Sequence, residues 1–162
     1  MEKINLNTHY TIEELSIITG LEMSSFYAFK KELNLRKYIL PSNRIGYGAF
    51  WKDFEDMLDR SRTYDFMITE YNMYYKEKKK RPTQRQFLDI KETAALINGI
   101  GDERSIFTYR RRVRENKIPA YALKSKNIIP IVYIIKLYAL PIDSKLEQLI
   151  SEIIKAPYTF KL

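Results

Sequence analysis

Cysteine is absent from this chain of 162 residues, which excludes disulfide scaffolds and thiolate metal sites. Its one histidine, His9, rules out most histidine-based metal centres and any catalytic pair of histidines. No glycine-rich phosphate loop of the Gly-x-x-x-x-Gly-Lys-Ser/Thr form occurs. Carboxylate pairs such as Glu13-Glu14 fall at expected helix starts, where capping accounts for them. The longest apolar stretch, 128–140, is broken by Pro130 and Lys136 and is too short to span a bilayer. MEKINLNTHY, at the start, has no apolar segment behind its charges, so no secretory signal is expected. These absences predict a cytoplasmic chain that is not an enzyme. No catalytic residue, cofactor, metal, membrane contact or small-molecule ligand is inferred.

What is present is a globular balance. Hydrophobic residues make up 45% of the chain, aromatics 14% and charged residues 30%, enough apolar material for one substantial core or two small ones. The net charge of +8 is placed unevenly. Residues 1–80 hold thirteen basic and twelve acidic side chains, whereas 81–162 hold fifteen and eight. Such asymmetry points to a polyanion met mainly by the second half.

Two segments follow one plan. In the first, Thr11 caps a helix and Glu14, three residues on, completes a capping box. Ile12, Leu15 and Ile18 form its inner face, and Gly20 ends it. A second helix is expected from Ser24 to Leu33, then a hairpin with strands Tyr38–Leu40 and Tyr47–Trp51 about a tip at Ser42–Arg44. In the second segment Asp89 caps IKETAALIN, with Glu92 in the same relation. A helix of about Glu103–Glu115 follows, stopped by Lys117-Ile118-Pro119, and YALKSKNIIPIVY predicts a hairpin whose tip is Lys124–Asn127. Pro130 suits the first turn of a helix running to Leu140.

Between the copies, Phe54, Met57, Leu58, Met67, Ile68, Tyr71 and Tyr75 recur at three- and four-residue steps. They predict a helical stretch from about Lys52 to Lys79, about 40 Å long if unbroken. A final helix, about Ile142–Ile153, carries Leu146, Leu149, Ile150 and Ile153 on one stripe. The expected fold is mainly α with small β-hairpin wings: two tandem winged helix-turn-helix modules joined by a long helical linker. Residues 1–60 form the first module, 61–85 the helical and basic linker, 86–141 the second module, and 142–162 a C-terminal helix and tail.

Thr108-Tyr109-Arg110, followed by Asn116-Lys117-Ile118-Pro119-Ala120, carries a family resemblance. It is similar to the Thr-aliphatic-Tyr-Arg, four residues, Gly-Lys-Leu-Pro-Ala pattern of excisionase-type and MerR-type winged helix-turn-helix proteins. The likeness spans about Leu88 to Leu140. It departs where Tyr109 replaces an aliphatic residue, where Asn116 stands for glycine, and in the long turn at Gly99–Asp102. The first copy is looser, with only Ser25-Phe26-Tyr27 echoing the motif. The resemblance implies a DNA-binding role.

In such a fold the second helix of each pair enters the major groove. On the second module, Arg104, Ser105, Thr108, Arg111 and Arg112 are expected on or beside the outer face, where arginine can pair with guanine and Ser or Thr with a base edge or phosphate. Arg110 and Arg114 suit flanking phosphates, with Glu115 as the nearby neutralising carboxylate. On the first module Ser24, Ser25, Ala28 and Lys31 face outward, with Tyr27 and Lys30 at the edges. That surface reads either as a light sequence reader or as a protein-docking head. Asn43 and Arg44, and Lys124, Lys126 and Asn127, form the wing tips over the backbone or minor groove. Lys78, Lys79, Lys80, Arg81 and Arg85 are candidate phosphate contacts in the linker.

The partner expected is double-stranded DNA, with the two heads in adjacent major grooves about 34 Å apart. A homodimer through the central or C-terminal helix is a further expectation. The leading role is a transcription regulator of a bacterial, plasmid or phage element, nucleoid-associated when bound. An excisionase-like recombination directionality factor and a plasmid or phage replication or maintenance factor are alternatives. So is an adaptor or inhibitor that uses the same heads to bind protein or RNA.

Overall fold

A computed structural model of the chain describes residues 9–30, 33–39, 45–50, 53–54, 59–60, 84–102, 105–118, 120–123 and 126–160. Within them run β1 (His9–Thr11), α1 (Ile12–Thr19), α2 (Met23–Tyr27), β2 (Arg36–Ile39), β3 (Ile45–Phe50) and β4 (Asp59–Arg60). Then come β5 (Phe87–Leu88), α3 (Ile90–Asn98), α4 (Ile106–Arg114), β6 (Tyr121–Leu123), β7 (Lys126–Pro130), α5 (Ile131–Leu137) and α6 (Ser144–Ile154). Helices therefore combine with two small antiparallel sheets, ordered β1-β3-β2 and β4-β6-β7-β5. The succession strand, helix, helix, strand, strand occurs twice. In both copies the leading strand pairs with the last one, Tyr10 opposite Ala49 and Leu88 opposite Ile129. The sequence reading has no strand at either place, because two or three residues are too few to display alternation.

Both capping boxes form. The Thr11 hydroxyl accepts the Glu14 N–H at 3.1 Å while the Glu14 carboxylate accepts the Thr11 N–H. Asp89 accepts the Glu92 N–H at 2.7 Å, and Glu92 accepts the Asp89 N–H at 3.0 Å. Gly20 closes α1 at φ +74°, its N–H donating to Ser16 O. That left-handed backbone suits glycine.

Several boundaries differ from expectation. Regular helix in the first copy stops at Tyr27 instead of running to Leu33, and turns follow, with Leu33 N–H donating to Phe29 O and Asn34 at φ +49°. Neither a side-chain cap at Glu22 nor strong helix formers among Met-Ser-Ser-Phe-Tyr sustain it. Helix α5 ends at Leu137, three residues early, where Ala139 turns left-handed at φ +50° ahead of Pro141. Asp59–Arg60, expected inside a long helix, is a strand opposite Tyr121–Ala122, where it supplies backbone partners to the edge of β6. Of the rest of the expected helix, 53–54 is helical, while 52, 55–58 and 61–79 lie outside the described residues. Lys126 and Asn127 belong to β7, with Leu123 opposite Lys126, so they are not at the hairpin tip.

The second sheet is a wall between two cores. Alternate residues of a strand point to opposite faces, and here Phe87, Tyr121 and Ile128 join Ile12, Leu15, Ile18, Phe26 and Phe54 in one cluster. Leu88 and Ile129, their chain neighbours, join Leu96, Tyr109, Ile134 and Ile150 in the other. Helix α5 is buried at all five positions from Ile131 to Ile135, and Tyr133 reaches the first core while Ile131, Ile134 and Ile135 fill the second. Gln86 N–H donates to Ile18 O at 2.8 Å, and Gln86 O accepts the Ile131 N–H at 3.0 Å, stitching the halves through the main chain. The stripe expected on the last helix is spent inside the chain: Leu146 and Ile150 are buried in the second core, and Tyr158 folds back beside Ser151.

Candidate functional site

Helix α4 packs inward through Tyr109, whose ring is buried, and through Ile106 and Val113, which lie half-buried against the second core. The opposite stripe consists of Phe107, Arg110, Arg111 and Arg114, spaced three and four residues apart and all exposed. Phe107 is 75% exposed, and the Arg110 guanidinium lies 5.8 Å from its ring centre. Phe107 thus adds one apolar ring to an otherwise basic exposed stripe. The sequence reading did not single out Phe107; the helical wheel places it beside Arg110 and Arg111 and was the available signal.

The structure rearranges the expected roles along this helix. Ser105 and Thr108 are half-buried, and Ser105 provides no side-chain cap. Arg112 does not face outward as a base reader. Its Nη1 donates to the Tyr138 hydroxyl at 3.0 Å and its guanidinium lies 5.2 Å from the Tyr109 ring centre, bracing α4 against the end of α5. The Tyr138 hydroxyl raises the Arg112 pKa further, and burial raises that of Tyr109, whose hydroxyl meets Asn98 at 3.3 Å. Glu115, the expected neutralising carboxylate, pairs with Lys117 at 3.1 Å. Among the described residues Arg110, Arg111 and Arg114 make no ion pair.

Arg85, a candidate phosphate contact in the expected linker, is engaged within the chain. It forms a bidentate pair with Glu92, with Nη1 2.7 Å from Oε2 and Nη2 on Oε1, and donates through Nε to Phe87 O at 2.9 Å. Burial pushes the Glu92 carboxyl above the ordinary carboxylate value, against the opposing pull of Arg85 and the Asp89 N–H. On the first copy Ser24, Tyr27, Ala28 and Lys30 are exposed, and Ser25 is half-buried. Lys30 lies over the Tyr47 ring at 5.1 Å, and Tyr27 meets the same ring edge-on. Lys126 Nζ donates to Ser25 Oγ at 3.3 Å, so the second hairpin touches the second helix of the first copy. Arg104, Lys31, Asn43, Arg44, Lys78, Lys79, Lys80, Arg81 and Lys124 lie outside the described residues.

No helix among the described residues is long and apolar enough to cross a membrane, and none of their His, Asp or Glu side chains gather in groups of three able to hold a metal ion. No family model, no curated protein and no solved structure matches the chain.

Proposed function

We propose that the chain binds duplex DNA, with α4 as the recognition helix of the second of two winged helix-turn-helix modules and α2 in the corresponding place of the first. The observation that carries this reading is the exposed stripe of Phe107, Arg110, Arg111 and Arg114, of which Arg110 and Arg114 share a groove with Lys126 and Asn127 of β7. Arginine makes bidentate contacts to guanine and phosphate, and a phenyl ring suits a thymine methyl group. The leading biological role is a transcription regulator of a bacterial, plasmid or phage element. An excisionase-like factor, or a replication or maintenance factor, uses the same binding surface.

Selection from a random duplex pool at near-physiological salt, followed by sequencing of the retained DNA, tests the reading. An enriched motif is expected. Replacing Arg110, Arg111 and Arg114 together by Gln lowers affinity on the order of 100-fold or more, from about 1–3 kcal/mol per arginine, with the circular dichroism spectrum unchanged. Equal affinity of this variant for every duplex tested would sink the proposal.

A protein-docking first head is the second reading, favoured by Met23 and Tyr27, which are 43% and 45% exposed on α2. Met23→Ser with Tyr27→Ser separates the two: DNA affinity falls if α2 reads DNA and stays unchanged if it docks protein.

A further inference from the structure

The turn between α1 and α2 does not stand apart from the second copy. It forms one wall of an open groove of about 660 Å³ whose other walls are the start of α3, the last turn of α4 and strand β7. Five cations line it, Arg85, Lys91, Arg110, Arg114 and Lys126, against the carboxylates of Glu22 and Asp89. Arg110 and Arg114 belong at once to this groove and to the exposed stripe of α4. A polyanion lying along α4 at Arg110 and Arg114 therefore meets the groove that Lys91 and Lys126 also line.

One wall of the groove is held from within the chain. A Cβ on Gly20 would collide with the Arg85 guanidinium, so the first copy's turn rests against the group that is clamped to Glu92 of α3. Lys126 Nζ also reaches Ser25 Oγ of α2 at 3.3 Å, an exposed contact at the groove. A wall fixed before binding lowers the ordering cost of seating a ligand. An open, basic concavity suits a phosphodiester strand, which passes through and is neutralised by several point charges, better than it suits an enclosed small molecule.

We infer that this groove seats one sugar–phosphate strand of the duplex bound by α4, so that the two copies act on one contiguous site and not on two half-sites a helical turn apart. The inference rests on the duplex-binding reading and deepens it.

Fluorescence anisotropy of a labelled duplex, titrated across salt concentrations, tests it with the full chain. Lys91→Gln with Lys126→Gln is the groove variant, since both residues are exposed. The slope of log affinity against log salt is expected to fall in magnitude by about two, near 0.9 for each phosphate no longer neutralised, with the circular dichroism spectrum retained. A slope equal to that of the unsubstituted protein overturns the groove while leaving duplex binding by α4 intact. No binding of any duplex by the unsubstituted protein overturns both.

A second measurement does not depend on energetics. Because the chain has no cysteine, Glu22→Cys and Lys91→Cys each give a single attachment point for an iron chelate that cleaves nearby DNA. Cuts from the two positions within a few base pairs of each other are expected. Two sets of cuts about one helical turn apart, near 10 base pairs, overturn the contiguous site.

Discussion

At the scale of single residues, neighbouring arginines on one helix have different work. Arg111 is exposed on the outer stripe, whereas Arg112 is tied to Tyr138 and Tyr109. Arg112→Gln is expected to lower stability by about 1 kcal/mol through removal of the hydrogen bond, with little change in the salt dependence of DNA binding. Arg111→Gln should do the reverse, and urea unfolding read beside anisotropy distinguishes the two. If Arg112→Gln weakened binding and spared stability, the bracing role would be wrong. Gly20 is the other position where one atom matters. Its φ of +74° and its contact with Arg85 both oppose a side chain, so Gly20→Ala is expected to cost about 1–2 kcal/mol. For a chain of this size that lowers the melting temperature by about 2–4 °C per kcal/mol; an unaltered melt would mean that Arg85 moves aside freely. Arg112 and Gly20 also mark the limit of sequence reading: the positive φ at Gly20 was legible from its place after a periodic helix, but the guanidinium beside it was not.

Among the secondary-structure elements, the first helix of each copy was the most legible in sequence. A Thr or Asp cap with Glu three positions later satisfies two N-terminal N–H groups locally, so no tertiary partner is needed to place α1 or α3. Thr11→Ala and Asp89→Ala are each expected to cost about 1 kcal/mol, and amide exchange should speed first in α1 for the former and in α3 for the latter. Loss of protection spread evenly through the chain would show that capping is not the local term argued here. Elements that depend on distant partners were less legible. Strands β1 and β5 exist because β3 and β7 offer free edges, and β4 exists because β6 does. Helix α2 shows the converse: its apolar spacing is helical, but its ends have no capping side chain and the chain turns away after Tyr27.

For the molecule as a whole, the repeated order of elements hides a shared interior. Ile128 and Ile129 are adjacent in sequence and serve different cores, so damage at the wall should be felt on both sides. Ile128→Ala is expected to cost about 3 kcal/mol, the usual range for an isoleucine removed from a packed core. Amide protection should fall in α1 and α3 together, and unfolding should remain a single transition. Two separate transitions, with only the first copy weakened, would refute the shared wall. By the same logic a fragment beginning at residue 86 exposes Phe87, Tyr121, Ile128 and Tyr133, and it should associate or bind hydrophobic dyes where the whole chain does not.

Sequence alone determined whatever rests on local chemistry and on sums. The absence of cysteine, the excess of positive charge in the second half, the two capping boxes, the α3–α4 pair and the β6–β7 hairpin all follow from nearby residues or from composition. Tertiary structure decided which arginines of α4 point outward, that Phe107 joins them, that Arg85 is committed to Glu92, and that the two copies lean on one sheet. The physical reason is the same in each case. A helix or strand pattern assigns a face, but what that face meets depends on elements far away in the chain, and a short strand has no stable existence until its partner's edge is in place.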